Sequence, residues 1–204
     1  MKRKYAVFLI LLGLPLLDIF YACCNCEEGT EEKFYINSGF SLVNLDNSGE
    51  NPLEITDVSI NKNAYGMRLK VEREVITFKN KQENLFSFTP TAYAFSCDCP
   101  PTVTYEPQYK AQAIKIVTLN DFNAEKPANS DVTEYFKTSK SYLSVNETVK
   151  RLNNYFGYTP SKTETIDYLL MVPPTNVNTE HQFKVIILFE NKPNVELLTT
   201  VNLK

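Results

Sequence analysis

The chain has 204 residues, a formal net charge of −3 and 43% hydrophobic residues, with 13 Phe, 12 Tyr and no Trp. That length buries the core of one domain, or of two small ones tightly joined. Mild acidity, with Lys and Arg spread along the chain, argues against nucleic acid as a partner, and six scattered glycines leave no Gly-rich phosphate loop.

The N-terminus reads as an export signal. Met1-Lys2-Arg3-Lys4 is a basic region, Tyr5 to Leu17 an apolar one, and Ala22 a small residue before a cleavage point. The apolar run is shorter than the ~20 residues a spanning helix needs, contains Pro15 and is closed by Asp18. Phe20-Tyr21-Ala22-Cys23 resembles a bacterial lipobox, with bulkier residues before Ala22 than that pattern prefers. The expected lipid acceptor is Cys23, with Cys24 as the alternative, and residues 1–22 are the expected lipoprotein signal peptide. A diacylglycerol plus an amide-linked chain meets the requirement of two or more acyl chains for stable anchoring. Cleavage leaves 182 residues and removes Lys2, Arg3 and Lys4 against Asp18, so the net charge becomes −5. Residues 23–33 form an expected acidic tether, with Glu27, Glu28, Glu31 and Glu32, and residues 34–204 the β-rich domain.

If Cys23 carries lipid, Cys24, Cys26, Cys97 and Cys99 remain as disulfide candidates in an oxidising compartment. Cysteines in a C-x-C pair rarely bridge to each other, so bridges from the N-terminal pair to the Cys97/Cys99 pair are expected. Free thiols and a four-thiolate zinc site compete with that reading, although the usual structural zinc spacing is wider.

Strands follow in chain order. Phe34 to Leu45, Leu53 to Ile60 and Val75 to Phe78 are short candidates, with turns at Asn47-Ser48-Gly49 and Asn61-Lys62-Asn63. Tyr65, Met67, Leu69 and Val71 alternate with Gly66, Arg68, Lys70 and Glu72, the pattern of a strand with one buried face. Thr91 to Ser96 and Ala111 to Leu119 are further strands. The spacing predicts a short helix over Ser130–Lys137 with Val132, Tyr135 and Phe136 inward. It predicts a second from Ser144, where Ser144 and Glu147 fit a capping box, Val145, Val149, Leu152 and Phe156 share a face, and Gly157 ends it. Ile166 to Val172 is a strand, and the chain closes on a hairpin. Phe183, Val185, Ile187 and Phe189 mark one face of its first strand, Ile186 and Leu188 suggest burial on the other face too, and Val195 to Leu203 returns. The expected fold is mainly β: a single antiparallel β-sandwich-like domain with one or two short helices that cap an end or edge.

No catalytic set is legible. His181 is the only histidine and reads as a surface or strand-edge residue. Asp121-Phe122-Asn123-Ala124-Glu125 starts like a calcium loop, but Lys126 and Val132 stand where Gly and Glu are needed. Tyr93, Tyr105, Tyr109, Tyr155 and Tyr158 are candidates for stacking on a sugar, each weighed against a place at the core edge. No cofactor, metal or catalytic residue is therefore expected.

Cys23-Cys24-Asn25-Cys26, Cys97-Asp98-Cys99, the Ile114–Phe122 segment and His181-Gln182-Phe183-Lys184-Val185 together resemble a family of uncharacterised lipoproteins of about 200 residues from Bacteroides and relatives. The resemblance implies an envelope address and a β-rich domain, and no chemistry. The expectation is a non-enzymatic, lipid-anchored accessory or binding module of the bacterial outer membrane, with its acidic start resembling a surface-export signal. Its expected partners are the membrane, through the anchor, and a glycan or envelope protein. The rivals are a glycoside hydrolase on a β-sandwich and a structural docking subunit of an outer-membrane complex.

Overall fold

A computed structural model describes residues 30–56, 59–76, 102–153, 161–176 and 179–204. All five cysteines lie outside these residues, as do the strand expected over Thr91–Ser96 and Tyr93, Tyr155, Phe156, Gly157 and Tyr158. Glu32–Phe78 and Thr104–Lys204 form one unit. Met1–Glu31 and Lys79–Val103 form another, nearly all of it outside the described residues.

Among the described residues, ten strands build two sheets: β1 (Thr30–Asp46), β2 (Leu53–Glu54), β3 (Ser59–Ile60), β4 (Tyr65–Ile76), β5 (Thr102–Pro107), β6 (Ala111–Thr118), β7 (Phe136–Thr138), β8 (Thr163–Leu170), β9 (Thr179–Phe189) and β10 (Val195–Leu203). The larger sheet has the order β2-β1-β4-β8-β7, with β5 also on β1. The smaller has the order β3-β10-β9-β6. The sandwich is mainly β, as expected. The described ladders are antiparallel except β3 on β10, where Asn202 lies parallel to Ser59.

Side chains of alternate residues fill the space between the sheets, because a strand turns successive side chains to opposite faces. Tyr65, Met67, Leu69 and Val71 of β4 and Ile166, Tyr168 and Leu170 of β8 meet Ile114, Ile116, Phe183, Val185, Ile187, Val201 and Leu203. Phe183 is the hub. Tyr65 stacks on it at 5.6 Å, and Phe136 and Phe122 meet it edge-on at 5.7 and 6.3 Å. Burying each such side chain contributes about 1.5–3 kcal/mol. Asn44 ties the sheets at one margin: its amide donates to the Thr200 carbonyl at 2.9 Å and accepts from Thr199 and Tyr65 hydroxyls at 2.7 and 3.1 Å.

Strand β6 ends the smaller sheet and would expose a row of unpaired amides. Neighbouring segments cover it. Asn153 bonds both the amide and the carbonyl of Ala111 at 2.8 and 2.7 Å. Asn146 accepts from Ile114 at 3.1 Å and Thr133 from Ile116 at 2.8 Å. Backbone groups of Asn129, Ser130 and Val132 complete the cover.

The helical segments thus guard an edge, as expected. The first is a 3-10 turn at Val145–Thr148 followed by α1 (Val149–Asn153). Glu147 reaches back to accept from the Ser144 amide and hydroxyl, each at 2.7 Å, and those bonds pull its carboxyl below the usual range. Over Ser130–Lys137 the expected helix is only a 3-10 turn at Thr133–Tyr135. Phe136 then opens β7, paired with Leu170, because the edge of β8 offers a ladder that a local helix would forgo. Three strands also differ. Leu53 to Ile60 is two two-residue strands that join different sheets. β5 was not expected at all. β4 runs unbroken to Ile76, where two strands were read.

Arg73 explains that last difference. It continues the inward side of β4 and is buried. Its guanidinium donates to the Arg151 carbonyl at 2.8 Å, stacks over Tyr35 at 5.6 Å and pairs with Glu164 at 3.5 Å. The Tyr35 hydroxyl donates to the Leu152 carbonyl at 2.7 Å. Together they tie the carbonyls of Arg151 and Leu152 in α1 to the larger sheet.

Candidate functional site

The outward side chains of β4 and β8 are polar where the inward ones are apolar. Arg68 and Asp167 sit opposite each other in the ladder. They form a bidentate pair, Nε to Oδ1 at 2.5 Å and Nη2 to Oδ2 at 2.7 Å, the strong, planar geometry of guanidinium with carboxylate. Arg68 Nη1 also donates to Glu54 at 2.8 Å, and Lys70 bonds the other Glu54 oxygen at 2.7 Å. The bonds from Lys70 and then Arg68 hold the Glu54 carboxyl below its usual range. Hydrogen bonding to Asp167 raises Arg68, which stays a cation. Arg151 pairs with Glu164 beside this network.

A groove of about 620 Å3 opens over this face. Its walls are the Asn47–Pro52 turn, the Thr138–Tyr142 turn after β7, and the side chains of Arg68, Arg151, Thr165, Asp167 and Leu169. Each wall has a local cause. Asp46 accepts from the Ser48 amide at 2.8 Å and tightens the first turn. In the second, Thr138 accepts from the Leu143 amide at 2.9 Å, and the Ser139 amide donates to the Asp167 carbonyl at 3.1 Å. One end of the floor is shaped by Gly66: a Cβ there would lie 2.9 Å from the Tyr168 carbonyl oxygen and 2.9 Å from Leu169 Cδ2.

Tyr142 stands at the groove with φ of 50°. The other described non-glycine residues with positive φ are Asn129 and Asn191, a residue type that tolerates the left-handed region. A tyrosine there costs about 1–2 kcal/mol. It is also 62% exposed, so burial does not offset that cost. Tyr142 borders a second, adjoining cavity of about 250 Å3 with Leu169, Leu170 and Met171.

The residues singled out from sequence lie elsewhere. His181 is buried, not at the surface or a sheet edge. It shares the inward face of β9 with Phe183, and β9 is central in its sheet. Its Nε2 lies 3.0 Å from the Asn176 carbonyl, its ring packs by Phe122 and Phe183, and Nδ1 has no partner among the described residues. Tyr105 and Tyr109 are half-buried, and Tyr109 packs on the core with Lys192 over its ring at 5.4 Å. The Asp121–Glu125 segment is a polar turn. Asn123 accepts from Glu125 and Lys126 amides, and Asp121 from Ala128. Ile186 and Leu188 are half-buried, not buried on both faces as expected, because sheet packing covers only the Phe183 side.

The groove itself escaped sequence reading. The alternation around Arg68 marked an outward face, but nothing local joins residues 47–52, 68, 138–142 and 167. The clearest available signal was Ser139-Lys140-Ser141-Tyr142, a polar turn ending in an aromatic residue.

A family profile described as Domain of unknown function (DUF5034) matches residues 37–200, four-fifths of the chain. No curated protein and no solved structure gives a significant match.

Proposed function

We propose, for a chain that belongs to the domain-of-unknown-function family DUF5034, a lipid-anchored, non-enzymatic binding module of the bacterial cell envelope, an outer-membrane lipoprotein facing the surface. The observation that carries the binding role is the polar groove of about 620 Å3 on the outward face of β4 and β8. Its volume falls within the range typical of small-ligand sites. Anchoring at Cys23 rests on the basic, apolar and small-residue sequence of Met1–Ala22.

The glycoside hydrolase reading is weaker. A general acid at a glycosidic bond needs a carboxyl raised toward neutrality. Glu54 is moved the other way, and both Glu54 and Asp167 are committed to Arg68. Binding without chemistry suits groups that are already paired. One observation favours a docking subunit as the second reading: Leu143, Met171 and Val172 are exposed, and Met171 lines the adjoining cavity of about 250 Å3.

The test is the intact mass of the protein extracted from membranes, before and after reduction and thiol alkylation. The expected result is a lipid-sized increment on a chain beginning at Cys23, with Cys24, Cys26, Cys97 and Cys99 alkylated only after reduction. An unlipidated chain starting near Cys23, or an uncleaved chain retaining Met1–Ala22, would overturn the anchoring.

A further inference from the structure

We infer that the groove takes a neutral oligosaccharide, with Tyr142 as the face on which a sugar ring stacks and the Arg68–Asp167 pair as the clamp on its hydroxyls. This deepens the binding-module reading and rests on it.

The first support is charge. The lining cations Arg68, Lys140 and Arg151 stand among the lining anions Glu50 and Asp167. Glu54 and Glu164 are bonded to Arg68 and Arg151. The groove therefore presents no strong field of either sign, which removes the attraction an anionic or cationic ligand needs. The second is hydrogen-bonding capacity. A guanidinium has five N–H donors. Three of those on Arg68 are committed to Asp167 and Glu54, and the rest, with the spare lone pairs of Asp167, form a fixed donor–acceptor plane. A vicinal diol offers the matching pair. Ser139, Ser141, Thr138, Asn47 and Asn51 add neutral donors and acceptors on the facing walls.

The third is Tyr142. A ring 62% exposed gains little burial to offset its left-handed backbone, whereas Asn or Gly would occupy that φ with less strain. A pyranose presents a flat C–H face that packs on such a ring, and the phenol keeps its hydroxyl in water. Binding to that face accounts for both the residue type and its exposure.

The test uses the full-length protein in detergent and isothermal titration with neutral hexasaccharides of α-glucan, β-glucan, mannan and xylan, with oligogalacturonate as the acidic comparison. At least one neutral sugar is expected to bind. Its affinity should change less than about twofold between low and high salt, because no counterion is released. Tyr142→Asn keeps a residue that accepts the backbone conformation and removes the ring. It should weaken binding at least tenfold with no loss of thermal stability. Asp167→Asn should weaken it similarly, and Leu198→Ser, on β10 away from the groove, should leave it unchanged. The inference is overturned if no neutral sugar in the panel binds. It is equally overturned if binding survives Tyr142→Asn, or if oligogalacturonate is preferred with steep salt dependence. Lipid on Cys23 without sugar binding would leave the anchored module standing and remove this ligand class. Sugar binding without lipid would do the reverse.

Discussion

Arg68 and Leu69 are neighbours in β4, yet they serve opposite surroundings. Leu69 enters a dry layer with Met67, Ile166 and Phe183, all fully or almost fully buried. Arg68 turns to a wet face and holds Asp167 and Glu54. Close packing makes the inner face sensitive to every atom, whereas partly exposed ion pairs contribute little to folding. The inner face therefore sets stability, and the outer one is free to carry a binding surface at small energetic cost.

The comparison breaks most easily from the inside. Leu69→Ala should cost about 2–5 kcal/mol, read as a lower denaturation midpoint with an unchanged slope in urea. A loss under 1 kcal/mol would mean that the two faces are not so different. Gly66→Ala comes next, because its Cβ must enter space held by the Tyr168 carbonyl. Overpacking of this kind costs about 1–3 kcal/mol, and it should also distort the groove floor.

Tyr168→Phe is smaller still. It removes the 2.7 Å bond to the Thr148 hydroxyl, while Thr148 keeps its bond to the Val145 carbonyl. A loss of about 1 kcal/mol is expected. The same variant sharpens a pH test. Burial pushes the Tyr65 and Tyr168 hydroxyls well above the normal tyrosine range. Only the unfolded chain then ionises them as the pH passes about 10, so the unfolded state binds fewer protons and stability falls with rising pH. The slope is about 1.4 kcal/mol per pH unit for each tyrosine. Tyr168→Phe should remove one such contribution from alkaline denaturation curves.

The outer face should respond least. Glu54 is more than a third exposed, so Glu54→Gln should cost less than about 1 kcal/mol at neutral pH. Because its folded pKa is lowered, the contribution is present above the ordinary carboxylate value of about 4.3. It is lost as pH falls through the lowered one. The stabilities of Glu54→Gln and the parent protein should therefore converge in acid, and their difference should shrink in high salt.

Sequence alternation made the two-sheet core legible, because Met67, Leu69, Phe183, Val185 and Ile187 each lie on the face that a period of two assigns them. The same arithmetic places His181 inward, two residues before Phe183. Its polarity pointed to the surface instead, and tertiary packing prevailed. Arg73 misled in a similar way: a charge in an inward position reads as the end of a strand unless one knows that the Arg151 carbonyl and Glu164 meet it. β7 was missed because three residues are too few to show a period. The groove was invisible because its parts meet only when β4 and β8 pair and two turns fold over them. Tyr142 looked like any tyrosine, since a positive φ is signalled in sequence by Asn or Gly and not by Tyr.

Strand β1 also sets a rigid span within the larger sheet. From Phe34 to Val43, the partner of Arg68 in the ladder, nine steps at 3.3 Å span roughly 30 Å. The strand begins at Thr30 and reaches the groove in its far half. The ladder with β4 thus holds Arg68 at a fixed distance from Phe34, set by strand length. Shortening β1 and β4 together by a register-preserving pair of residues would cut that span by roughly 7 Å without turning either face over.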